Sequence, residues 1–322
     1  MEAAGEQRLG LRPGTESEIV KVLTGSKQVW GAGISLEDYV EYHRLIRHHP
    51  WSKNHFQHLV LADELGDIFS SCKIYYHQAR VDSELFKLAG VGAVFTPAAF
   101  RGKGYAQQML EHILDELRES GYDLVMLFSD IGPEYYTRLD FRLIRKYDPV
   151  YSFLNLPPPP PAVEVYEYLP EELLEWHLAF APKSRFALTR TRDYFQLLSE
   201  RIDWHRKYMG FREQRVLVAR EDQSYLWVDL SRFRLIVRDF AAASDPPDQA
   251  LSRLLAGLQA RFNFREITGW LPPEFERYPC LKLREKHLRN KTILMMTALN
   301  EKARAIFSLP DDEIHFWLAD YF

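Results

Sequence analysis

Six consecutive residues, Arg101, Gly102, Lys103, Gly104, Tyr105 and Ala106, place two glycines and two cations directly ahead of a strongly amphipathic segment. Glycine lets a backbone approach a ligand closely, and arginine adds a fixed positive charge at the rim. The upstream run LAGVGAVFTP reads as a strand ended by Thr96-Pro97. Downstream, Tyr105, Ala106, Met109, Leu110, Ile113, Leu114 and Leu117 form one helical stripe, and Gln107, Gln108, Glu111, His112, Asp115, Glu116 and Glu119 form the opposite face. The run therefore sits between a strand end and a helix N-terminus, where free N–H groups and the positive end of the helix dipole face the crevice. That arrangement suits a ligand with negative charge. A P-loop would need GxxxxGK followed by Ser or Thr, which the chain lacks, and a dinucleotide fingerprint would need glycine where Gln107 stands.

The elements around this run are mixed. Helical patterns cover about 16–30 and the segment ISLEDYVEYHRLIRHH, with Ser35 as N-cap and Asp38 completing a weak capping box. FQHLVLAD and DIFSSCKIYYHQARV read as strands around a turn at Glu64 to Asp67. Gly121 stops the long helix, YDLVMLFSD is a buried strand, PEYYTRLD a short helix opened by Pro133, and FRLIRKYDPVYSFLNL one or two closing strands.

Five consecutive prolines, Pro157 to Pro161, form a stiff spacer of about 15 Å in polyproline II geometry. They set the expected domain boundary: a first domain over 1–154, a linker over 155–162 and a second domain over 163–322. The second half again runs strands, helix, strand, but carries AAASDPPDQA where the glycine-rich loop would stand. It reads as a degenerate copy of the first. The fold class expected is α/β (α+β), a mixed twisted sheet flanked by helices, with that second copy appended.

With 322 residues, 46% hydrophobic and 27% charged, the chain has material for two cores. A formal net charge of −4 gives no overall positive field for nucleic acid or an anionic membrane. The opening MEAAGEQRLGLRPG lacks a basic region followed by an apolar run, and no apolar run reaches about 18 residues, so neither a secretory signal nor a membrane span is expected. Two distant cysteines, Cys72 and Cys280, fit a reducing cytoplasm. The histidines His43, His48, His49, His55 and His58 show no metal-ligand spacing, and no metal is expected.

In this setting RGKGYA resembles the Q/R-x-x-G-x-G/A signature of the GNAT superfamily of N-acetyltransferases. The resemblance spans about 5–154. It implies that the loop amides of Arg101 to Ala106 hold the pyrophosphate of acetyl-CoA and that Val94, Phe95 and Thr96 pair with the pantetheine arm as an added strand. Lys103 would either reach the 3′-phosphate or remain a solvated loop-tip cation. WGAGISLEDYVEY, SSCKIYYHQARV, GVGAVFTPAAFRGKGYAQQML and FSDIGPEYYTRLDF are similar to segments of fungal acetyltransferases of free lysine. Lys73 stands where those proteins carry an acid, and Asp140 where they carry glycine. The appended half resembles the second domain of Eis-type acetyltransferases.

Direct transfer needs a neutral amine; for a lysine ε-amine at pH 7 deprotonation costs roughly 4.6 kcal/mol. A base must take that proton and an acid must protonate the thiolate of CoA. By family position Tyr136 is the acid, or else it packs against the pantetheine arm. Asp130 is a candidate base that could equally cap a helix. The terminal carboxylate of Phe322 is the other, by analogy with Eis-type proteins. Trp30, Glu37 and Tyr39 lie where such proteins build the acceptor pocket, and they suit a cationic amine; core packing and solvation explain them equally. The function expected is acetyl-CoA-dependent N-acetylation of a small amine such as lysine, another amino acid or a polyamine, by a monomer or homodimer. The alternatives are a protein N-acetyltransferase and a CoA-binding sensor.

Overall fold

The first strand, β1 (Gly10–Pro13), leads into α1 (Glu16–Trp30) through a complete capping box. The Thr15 side chain accepts from the Glu18 amide, and the Glu18 carboxylate accepts from the Thr15 amide at 2.8 Å. Arg12 grips the same carboxylate at 2.7 and 2.9 Å and holds its pKa down to about 2. Next is α2 (Leu36–His48), capped by Ser35, whose hydroxyl accepts from the Asp38 amide at 3.0 Å. The chain continues through α3 (Ser52–His55), β2 (Phe56–Ala62), β3 (Ile68–Val81), β4 (Glu84–Phe95), α4 (Tyr105–Glu119), β5 (Leu124–Ser129), α5 (Glu134–Thr137) and β6 (Arg142–Leu143). Gly121, at φ 70°, ends α4 as its sequence position predicts.

The later part comprises β7 (Tyr147–Phe153), β8 (Val163–Tyr166), α6 (Leu173–Phe180), β9 (Phe186–Leu188), α7 (Arg192–Tyr208), β10 (Glu213–Ala219), β11 (Ser224–Ser231) and β12 (Arg234–Ala242). After these come α8 (Pro247–Gln259), β13 (Glu266–Gly269), β14 (Leu281–Leu288), β15 (Ile293–Ala298) and α9 (Glu301–Arg304). This computed structural model describes residues 9–31, 33–158, 163–208, 213–231, 233–244 and 246–321. The prolines Pro159 to Pro161 of the expected linker and the terminal Phe322 lie outside the described residues.

The chain forms two compact units. One takes in the chain up to Gln78, Phe86–Leu143 and Leu294–Ala305; the other takes in Ala79–Leu85, Ile144–Ile293 and the chain from Ile306. The strand path of the first is β1-β2-β3-β4-β5-β15-β6 and that of the second, read from its far end, is β8-β10-β11-β12-β13-β7-β14. The two paths follow one plan. Antiparallel neighbours lead to a parallel pair, β4/β5 in one and β12/β13 in the other, each bridged by an amphipathic crossover helix, α4 or α8. The next position in each path is filled by a strand from the other half of the chain: β15 lies between β5 and β6, and β7 between β13 and β14. So β7, read from sequence as closing the first domain, lies in the second sheet. Its apolar alternation marks it as a strand, but backbone ladders are open to any partner, and local sequence does not specify which.

Helix α4 buries Met109, Leu110, Ile113, Leu114 and Leu117, as its periodicity predicts, and Leu124, Val125 and Met126 of β5 are fully enclosed. Val22, Val60, Ala62, Ile68 and Phe95 make a second apolar cluster. In the second unit the core contains a charged group: Arg190, with no side-chain exposure, donates to both oxygens of Asp320 at 2.9 and 2.8 Å and also to Asp239. Asp239 further accepts from the Tyr225 hydroxyl at 2.7 Å and the Phe240 amide at 3.0 Å. The aromatic tail around Phe316 and Trp317 is buried in this unit. Among the described residues no helix is long and apolar enough to cross a membrane.

Candidate functional site

Parallel pairing between β4 and β5 stops at Val91 and Leu127, although β4 continues to Phe95 and β5 to Ser129. Just beyond the last pair, Ala93 has φ 48°, a left-handed value that turns the strand away from its neighbour. Burial changes at the same place: Val91 is buried, whereas Gly92, Ala93 and Val94 are half-exposed. Pairing with β5 thus ends before Gly92, and Gly92 to Phe95 of β4 run on beyond the last pair.

The loop from β4 to α4 is fixed by side chains. The Ser70 hydroxyl donates to the Phe95 carbonyl at 3.2 Å and lies 3.2 Å from the Thr96 hydroxyl, while Arg101 Nε donates to the Thr96 carbonyl at 3.0 Å. Beneath the loop Phe69 packs on Phe100 and Tyr105, with ring centroids 4.4 and 4.9 Å apart, and the Lys103 ammonium stands 5.6 Å over the Phe100 ring. Gly102 and Gly104 have φ 73° and 84°, and a Cβ on either would point into open space. Gly104 is the N-cap of α4 and supplies no side-chain acceptor, and the first turn contains no acidic residue. The first N–H groups of the helix, those of Tyr105, Ala106 and Gln107, thus stay available to an outside acceptor. Gln108 makes the first helical bond, to the Gly104 carbonyl at 3.0 Å.

On the far side of β5, Tyr136 lies in α5 with 8% exposure, edge-on to Phe141 at 6.0 Å and to Tyr135 at 5.0 Å. Burial, followed by the fields of Tyr135, Cys72 and Asp130, pushes its phenol far above the ordinary tyrosine range. Asp140 closes the turn behind it at φ 60°, the left-handed conformation its sequence position requires, and the Phe141 amide donates to the Tyr136 carbonyl at 3.2 Å. Asp130 is exposed at the end of β5, and the N-cap position of α5 is Pro133.

The three candidate acceptor residues are placed differently. Trp30, 39% exposed at the end of α1, meets Phe95 edge-on at 6.4 Å and so reaches the splayed end of β4. Tyr39 is buried in a cluster with Ile19, Leu23 and Val40, its phenol raised by burial and hydrogen-bonded to Ser26. Glu37 is exposed in the first turn of α2.

A polar group not assembled from the sequence lies between α2 and the sheet. Lys73 on β3, His43 on α2 and His58 on β2 are 7%, 6% and 5% exposed. The Lys73 ammonium lies 3.2 Å from His43 Nδ1, and His58 is its direct cross-strand partner. Tyr39 stacks edge-on against His43 at 4.6 Å. Burial first, then the charge of Lys73, depresses both imidazoles, His58 to about 3 and His43 well below its usual value. The same-face neighbours of Lys73, Ser71 and Tyr75, are buried along with Cys72 and Ile74 on the other face, so neither face of β3 offers the lysine solvent. Among the described residues no three His, Cys, Asp or Glu side chains converge as metal ligands.

Residues 11–144 match the family model described as an acetyltransferase (GNAT) domain. This part of the chain is a GNAT acetyltransferase domain. A lysine acetyltransferase of Yarrowia lipolytica is 33% identical over 90 residues, 26% of this chain and 23% of that protein, so the chain spans about a quarter of this curated relative. A GCN5-related N-acetyltransferase from Anabaena variabilis superposes with a TM-score of 0.67 at 15% identity, over 91% of this chain and 73% of its own. Eis1 from Mycobacterium abscessus does so with a TM-score of 0.64 at 13% identity, over 92% and 74%. At these identities the likeness is one of fold. It covers both units, and the second is GNAT-like, as its strand path indicates.

Proposed function

We propose that the protein is an acetyl-CoA-dependent N-acetyltransferase acting on a small-molecule amine by direct transfer. The observation that carries this reading is the parting of β4 from β5 at Val91 and Leu127 beside an uncapped, acid-free helix start. The extended backbone of Val94, Phe95 and Thr96, beyond the last β4–β5 pair, suits an extended amide-bearing arm. The amides of Arg101 to Ala106 suit a pyrophosphate, and Lys103 adds a cation at the rim. Together they match the two chemistries of the CoA tail.

Tyr136 is the group assigned to the leaving thiolate. Its raised pKa keeps it protonated throughout the working range, so its hydroxyl donates a hydrogen bond to sulfur as negative charge develops there. Asp130 is the described carboxylate assigned to take the amine proton, because its field already acts on Tyr136. The carboxylate of Phe322 is tested beside it by removing that residue. Trp30, with Glu37 and Tyr39 as further candidates, is assigned to the acceptor side.

The test is release of CoA thiol from acetyl-CoA across amino acids, polyamines and a lysine peptide. Turnover on a small amine supports the reading. Turnover on the peptide alone would make the acceptor a protein, and tight acetyl-CoA binding without any turnover would make the protein a CoA sensor.

A further inference from the structure

The buried cluster of Lys73, His43 and His58 belongs to no step assigned above. It lies on the strand next to β4: three residues along β3 from Lys73, the Ser70 hydroxyl reaches the Phe95 carbonyl at 3.2 Å, beyond the last β4–β5 pair. On the same face of β3, two residues away, Ser71 is fully buried. Neither the Ser71 hydroxyl nor His58 Nδ1 has a hydrogen-bond partner among the described residues, although both atoms are enclosed. Buried polar atoms are rarely left so, because each has given up water without a replacement. The charged side chains that act on the two imidazoles are both cationic, Lys73 and Arg47, and Arg47 is itself engaged by Glu16. Both imidazoles are held neutral, so each offers one N–H as a donor.

We propose that the acceptor amine carries a carboxylate, and that Lys73, the Ser71 hydroxyl and His58 Nδ1–H form the subsite that receives it. This rests on the acetyltransferase reading and narrows its substrate class to amino acids. A carboxylate has enough lone pairs to accept from all three groups, and it satisfies the two unpartnered atoms at once. The neutral imidazole of His43 accepts from the ammonium and orients it. A polyamine would instead bring a second cation toward Lys73, so the same cluster selects against decarboxylated amines.

The experiment compares acceptors that differ only by the carboxylate: L-lysine with cadaverine, and L-norleucine with n-pentylamine. Acetylation is measured in carboxylate-free buffer, and binding to the CoA-loaded protein is measured separately by calorimetry. The expected result is a KM and a Kd about 10- to 100-fold lower for at least one amino acid than for its amine. Lys73→Met should erase that ratio, and Ser71→Ala should reduce it in part. Both variants retain the shape of the side chain they replace and are checked for acetyl-CoA binding as proof of folding. Equal use of both members of each pair, or a ratio that survives Lys73→Met, overturns the inference while leaving the acetyltransferase reading standing. Lys73-dependent binding of the amino acid without acetylation supports the subsite and overturns the small-molecule acetyltransferase reading instead. Neither binding nor turnover for any acceptor overturns both.

Discussion

Arg190 meets Asp320 through two parallel hydrogen bonds, Nε to Oδ1 at 2.9 Å and Nη2 to Oδ2 at 2.8 Å, with both side chains sealed from solvent. This fork ties the tail of the chain into the core of the second unit. Removing one partner leaves the other charge buried and uncompensated, which costs about 3–5 kcal/mol. We expect Arg190→Met to lower the stability of the second unit by about that amount, and Asp320→Asn to do less, because the amide keeps one acceptor. Urea unfolding followed by Trp fluorescence checks this; a change below about 1 kcal/mol for Arg190→Met contradicts it.

The buried imidazoles make stability depend on pH. His58 is depressed to about 3, and His43, His177 and His315 are held well below their usual value, each mainly by burial. Unfolded histidine takes up its proton near 6.5, so below that pH the unfolded chain binds protons that the folded one refuses. Stability is thus fully present above pH 6.5 and falls as the pH drops toward the depressed values, by up to about 1.4 kcal/mol per pH unit for each imidazole. Melts at pH 7.5 and 5.5 should show a lower midpoint at 5.5, and His58→Gln should flatten the difference.

Gly104 tests the ligand loop. Its φ of 84° penalises a side chain, while a Cβ there would meet nothing within 4 Å. Gly104→Ala should cost only about 1–2 kcal/mol of stability. The added methyl would project into the open space beside the helix start, where the pyrophosphate is proposed to lie, so the affinity for acetyl-CoA should fall at least about tenfold, a larger loss than the fold suffers. Titration with acetyl-CoA and with CoA, beside a thermal melt, separates the two effects.

Tyr136→Phe retains the ring that packs against Phe141 and removes only the hydroxyl. We expect acetyl-CoA binding to change less than about threefold and kcat to fall by about 10². Because burial keeps the phenol protonated, the wild-type rate should show no alkaline fall attributable to Tyr136 below pH 10. A variant with full kcat assigns Tyr136 to packing alone.

What could be read from sequence was local. The helix start at Gly104 declares itself through two glycines and an amphipathic stripe within a few residues of each other. The Ser35 and Asp140 features are equally short-range. The parting of β4 and β5 could be expected only through family likeness, since the positive φ at Ala93 sits on a residue type that gives no warning of it. The Lys73 group draws on three elements, and the histidines in it lie among others that end a helix or face the surface. Partner choice in the sheets was illegible for another reason: a strand such as Ile293–Ala298 carries its own alternation but no mark of which edge it will join.

The placement of β15 between β5 and β6, with β7 between β13 and β14, has a bearing on how the protein is made. During synthesis the edge of β5 stays open until the residues of β15 have left the ribosome, more than 160 positions after the end of β5. Contacts so distant in sequence slow folding and leave a hydrophobic edge exposed in the interval. A fragment cut at the proline run would retain the whole glycine-rich loop yet lack the strand that closes its sheet. Dissecting this protein at its apparent linker is therefore expected to yield aggregates, whereas the two fragments expressed together can still supply each other's missing strand.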